Sequence, residues 1–139
     1  MRHWTPCLLV IAACTIGPRV QTFAPARTPG GLVAQVSRGR ERFDAELLAV
    51  TDTALLMLDP RAGRILLVPF NATTRVRFPQ LPEKYLLRRG NEPSPNQREE
   101  LRLLSRFPPG VDAGLLSRLL AAYGQDSLTV LPPCTASGC

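Results

Sequence analysis

Nucleophilic and soft-metal chemistry in this chain rests on very few side chains: four cysteines, Cys7, Cys14, Cys134 and Cys139, and a single histidine, His3. A Ser-His or Cys-His catalytic pair needs an imidazole within hydrogen-bond reach of its nucleophile. His3 stands at the head of an apolar leader, away from any stretch that reads as a folded active site. Cys134 and Cys139 would need two further soft ligands to hold zinc, and the only histidine, His3, lies in the leader. Two acidic pairs, Asp44 with Glu46 and Glu99 with Glu100, have the residue types for general acid–base work. Alternation puts the first pair on the outer face of a strand and the second at the start of a helix, so both read as solvated surface charge. There is no glycine-rich phosphate loop and no zinc spacing. No catalytic, cofactor-binding or metal-binding residue is therefore assigned. Asn71-Ala72-Thr73 fits a glycosylation acceptor in form, and Asn71 is more simply a turn residue.

Cys14 is the exception. It closes the run Ile11-Ala12-Ala13-Cys14, preceded by Leu8-Leu9-Val10 and by the pair Arg2-His3 near the start. An aliphatic residue, two small residues and a cysteine after a short apolar stretch resembles the lipobox of bacterial lipoproteins. That resemblance implies export, a diacylglyceryl group on the Cys14 sulfur, cleavage before Cys14 and acylation of the new amino terminus. Residues 1–13 would then be a signal peptide. Its residue types fit the chemistry: an apolar run enters the membrane, small residues pass a narrow protease groove, and a thiol carries the lipid. Trp4 to Ala13 is too short to span about 30 Å of hydrocarbon, which takes roughly 20 apolar residues. Thr15 follows the cysteine where enteric-type lipoproteins retained at the inner membrane carry aspartate. By resemblance, the outer membrane is the expected destination in an organism with two membranes. With Cys7 removed and Cys14 lipidated, Cys134 and Cys139 remain in an oxidising space, where they could close a disulfide. Its loop is short, so its contribution would lie at the low end of about 2–4 kcal/mol.

The formal charge is +6, and Lys84 is the only lysine among 17 basic residues. An exported basic protein points to the membrane surface, an envelope protein, anionic lipid or cell-wall polymer as partner, rather than to nucleic acid.

Positioning elements follow from the prolines and the periodicity. Residues 14–30, with Pro18, Pro25 and Pro29, read as a tether. Residues 31–78 read as a small β domain. Leu32, Ala34 and Val36 alternate, and Phe43 to Val50 forms a second strand. Ala54 to Leu58 follows, then the turn Asp59-Pro60-Arg61-Ala62-Gly63, Arg64 to Phe70, and Thr74 to Phe78. Phe43, Phe70 and Phe78 read as core rather than as base-stacking rings. Within this region, Glu46 to Val50, Ala54 to Leu58 and Ile65 to Pro69 resemble the strand pattern of Sm-like small barrels. Members of that group bind RNA or serve as docking modules, so the likeness keeps a second reading open: a basic cytoplasmic barrel that binds nucleic acid.

Residues 79–95 form a proline-rich linker, and 96–131 a helical pair with an edge strand at Ser127 to Leu131. Asn96 is the expected cap of the first helix, with Glu99 three residues on and Leu101, Leu104 and Phe107 at helical spacing. Asp112 caps a second helix with a stripe of Leu115, Leu116, Leu119, Leu120 and Tyr123, and Gly124 ends it. The stripe either covers the sheet or docks on a partner, and burial of Leu116 and Leu120 separates the two. Residues 132–139 are a cysteine-containing tail. The expected fold is α+β: a meander or barrel of about five antiparallel strands followed by a two-helix hairpin.

Overall fold

A computed structural model of the chain describes residues 30–72, 74–88 and 90–132. Cys14, Cys134 and Cys139, and with them the signal peptide, lipid site and disulfide expectations, lie outside the described residues.

Strand β1 (Val33–Arg38) turns through Gly39 into β2 (Glu41–Val50), with Arg38 opposite Glu41. Gly39 has φ of +56°, the left-handed torsion that a two-residue hairpin places on glycine. Strand β3 (Ala54–Asp59) pairs antiparallel with β2 and with β4 (Arg64–Pro69). Between β3 and β4 the Asp59 carboxylate accepts the backbone N–H groups of Arg61 and Ala62, which holds the turn the sequence signalled. Strand β5 (Arg75–Arg77) returns to pair with β1, and β6 (Thr129–Val130) lies parallel to β4. The six strands form one sheet in the order β5-β1-β2-β3-β4-β6. The sheet is open, so of meander and barrel the chain forms the meander.

Side chains on successive strand residues point to opposite faces, and two apolar clusters result. One face gathers Ala34, Val36, Leu47, Leu55, Met57, Leu66, Val68 and Val76 with Phe70 and Phe78. The other gathers Leu48, Ala49, Leu56, Leu58 and Ile65. Phe70 and Phe78 are buried and Phe43 is half-buried against the first cluster. The proline-rich stretch also joins that cluster, through Tyr85 and Leu87, and Leu87 bonds the outer edge of β5 at Val76.

Helix α1 (Pro95–Leu103) and helix α2 (Ala113–Ala122) complete the α+β fold. The cap of α1 is Ser94, not Asn96. Ser94 and Gln97 form a reciprocal capping box, and Pro95 takes the first helical position, where its missing N–H costs nothing. Only Leu101 of α1 is buried, in the first cluster. Leu104 and Phe107 do not extend its apolar stripe. The chain leaves the helix at Leu103 because Arg106 and Phe107 donate their backbone N–H groups to Leu47 and Leu48, covering the edge of β2 beyond the end of β1. Asp112 caps α2 as expected by accepting from Leu115 N, and Gly124 follows its end at φ +63°. Leu119 is buried in the second cluster, with Leu115, Leu116, Leu120 and Tyr123 packed around it. Leu116 and Leu120 are half-buried against the sheet, so the stripe covers it in part. Among the described residues, no helix is long and apolar enough to cross a membrane.

Candidate functional site

Strand β2 carries the transition between the covered and open parts of the second sheet face. At its C-terminal end the register with β3 shifts between Leu47 and Ala49, so Leu48 is an extra residue in the ladder. Such a bulge re-aims side chains. Leu48 and Ala49 both reach the cluster beneath α2.

Two residues upstream of Leu48, Glu46 was expected to be solvated and is instead 4% exposed. Its Oε1 accepts from Gly30 N at 2.7 Å and Gly31 N at 2.9 Å, while Oε2 meets Arg106 Nη1 at 3.1 Å. Three donors compensate the burial of the charge, which would otherwise be costly. Gly31 makes that approach feasible, since a Cβ there would stand 2.3 Å from the Leu47 carbonyl oxygen and 2.8 Å from Arg106 N. The carboxylate thereby ties Gly30, Gly31 and Arg106 to β2. Burial pushes the Tyr123 hydroxyl above its ordinary pKa, with Arg106 opposing and Glu46 reinforcing the shift. The other acidic pair sits in the open on α1, where a hydrogen bond from Arg102 holds the Glu99 carboxyl below its usual range.

Further toward the start of β2 the same face is open. Cross-strand partners share a face, and the register sets out two rows across β5, β1 and β2. Arg75, Ser37 and Arg42 form one row, and Arg77, Gln35 and Asp44 the other. Arg61, from the β3–β4 turn, completes the wall of a recess of about 280 Å³. At about 4.8 Å per strand, Arg75 and Arg42 stand roughly 10 Å apart across the short Ser37 side chain. Their guanidinium groups can converge on one anion above it.

Four other arginines are engaged, while the side chains of Arg38, Arg40, Arg88 and Arg118 lie unpaired and scattered among the described residues. Arg64 meets Asp59 at 3.4 Å and lies over the Phe43 ring, Arg98 donates to the Asp52 carbonyl, Arg102 pairs with Glu99, and Arg106 holds Glu46. The guanidinium groups of Arg42, Arg61, Arg75 and Arg77 have no hydrogen-bond or ion-pair partner among the described residues. Asp44 is likewise exposed and unpaired there. Concentrated unneutralised positive charge in a concave surface favours an anionic ligand.

Sequence reasoning had named Asp44 from this group, as a surface charge, and had not joined it to the arginines. One signal was available: Arg75 and Arg77 flank Val76 in an alternating strand, which fixes them on one face. The pairing of β5 with β1 was the missing step. No known family, no curated protein and no solved structure matches this chain.

Proposed function

We propose that this chain is a lipid-anchored, non-catalytic protein of the bacterial cell envelope, a structural or protein-interaction module held at the bilayer by acyl chains on Cys14. The observation that carries the reading is the run Ile11-Ala12-Ala13-Cys14 behind a short apolar leader. Each buried methylene contributes about 0.8 kcal/mol; one chain holds a protein marginally, and two or three hold it stably. In an organism with two membranes, the periplasmic side of the outer membrane is the proposed location. Residues 14–30 could reach at most about 60 Å, which bounds the distance of the folded part from the head groups.

A small basic domain that binds nucleic acid in the cytoplasm is the second reading, favoured by the unpaired arginines on the open sheet face. It is the weaker one because base stacking takes a run of rings, and the recess is lined by one, the half-buried Phe43 with Arg64 over it, while Phe70 and Phe78 are buried.

Metabolic labelling with a fatty-acid analogue, followed by fractionation of wild type and Cys14→Ser, tests the anchor. The label is expected in the wild-type chain and absent from the variant, with the variant lost from the membrane fraction. Retention of Cys14→Ser in the membrane at the wild-type level would refute the lipid assignment.

A further inference from the structure

The recess on the open sheet face is ordered as well as basic. Its Arg75, Ser37 and Arg42 row offers two guanidinium groups and a hydroxyl, whereas the Arg77, Gln35 and Asp44 row mixes donors with a carboxylate acceptor. We propose that this recess binds a phosphate ester of a hydroxylated carbon skeleton. The phosphate lies on the first row under Arg61, and the hydroxyl groups lie on Gln35 and Asp44.

The charge balance selects the phosphate. Four guanidinium groups face one carboxylate, and a phosphomonoester of about −1.5 to −2 charge neutralises such a surplus better than a single carboxylate does. Guanidinium forks also bond phosphate oxygens in pairs. Asp44 selects the rest of the ligand. An ionised carboxylate repels a second anion and accepts hydrogen bonds only, so beside a bound phosphate it favours an O–H donor. The Gln35 amide can both donate to and accept from the same hydroxyl groups. A recess of about 280 Å³ suits a polyol or sugar phosphate and leaves no room for acyl chains. Strand pairing holds the two rows in place, and the Asp59 carboxylate fixes the turn that carries Arg61. The site does not depend on the anchor at Cys14.

A phosphate beside hydroxyl groups is found in a soluble phosphorylated polyol, as a monoester, and in the phosphatidylglycerol head group, as a singly charged diester, and two arms of one experiment separate them. Titration calorimetry of the full chain with glycerol 3-phosphate, inorganic phosphate and glycerol forms the first arm. Co-sedimentation of the full-length, non-acylated Cys14→Ser chain with phosphatidylglycerol vesicles, against phosphatidylcholine vesicles, forms the second. For the soluble source, glycerol 3-phosphate is expected to bind saturably and about tenfold more tightly than inorganic phosphate, the discrimination that one or two added hydrogen bonds supply. For the head-group source, only phosphatidylglycerol vesicles retain the chain. In whichever arm binding occurs, the double substitution Arg42→Ala/Arg75→Ala is expected to weaken it at least tenfold. All these side chains are exposed, so the thermal melt should not move. Asp44→Asn should close the gap between glycerol 3-phosphate and inorganic phosphate. Absence of saturable binding in both arms, or binding indifferent to the two arginines, would overturn the proposal. Tighter binding of a single-stranded oligonucleotide than of either probe would overturn it too, and would move the arginines to the nucleic-acid reading.

Discussion

Asp44 and Glu46 stand two residues apart on one strand and share one face of the sheet, yet one is exposed and free while the other is buried beneath three donors. The same division runs through the whole face. From Arg42 to Asp44 it is polar, open and flanked by unpaired arginines; from Leu48 onward it is apolar and covered by α2. Glu46 and Arg106 mark the boundary, where the loop after α1 reaches the edge of β2. Alternation along a strand decides which face a residue occupies. Coverage of that face is decided by distant chain, here Gly30, Gly31 and residues 104–123.

The boundary should be the most costly place to disturb. Glu46→Ala removes the acceptor of two backbone donors and leaves the mostly buried Arg106 unpaired, so chemical denaturation should register a loss of about 3–5 kcal/mol. A loss under about 1 kcal/mol would mean that the network contributes little. Within the covered half, Leu119→Ala should cost about 2–5 kcal/mol, measured the same way, because Leu119 is the buried centre of the α2 stripe. A negligible change would detach α2 from the sheet.

Alkaline titration sharpens the comparison next. The Tyr123 pKa is raised in the folded chain, so its contribution is complete below the unfolded value of about 10 and is lost as pH rises through the folded value. Thermal melts from pH 9 to 12 should fall more steeply for wild type than for Tyr123→Phe. The smallest effect belongs to the open half, where Asp44→Asn should change stability by no more than about 0.5 kcal/mol. A larger destabilisation would show that the two carboxylates are not so different.

Much of the architecture was legible because its signals are local. Gly39 and the Asp59-to-Gly63 segment announce turns by residue type, and Asp112 with Gly124 brackets α2 by the demands of helix ends. The cap of α1 was misassigned to Asn96, because Asn96 with Glu99 has the same spacing as the Ser94-to-Gln97 box that forms. Glu46 was not legible. Its neighbours on the strand read as an ordinary alternating edge, and its partners come from Gly30, Gly31 and Arg106, remote in sequence. The arginine recess was hidden for the same reason, because β5 pairs with β1 across three intervening strands of sequence. The bulge at Leu48 left no residue signature, as leucine is unremarkable in either register.

Intact-mass analysis of the protein recovered from the membrane fraction of its native host bears most directly on the proposed anchor. The expected species begins at Cys14 and carries the added mass of a diacylglyceryl group and an amide-linked acyl chain. An unmodified chain starting at Met1, recovered from the soluble fraction, would contradict it.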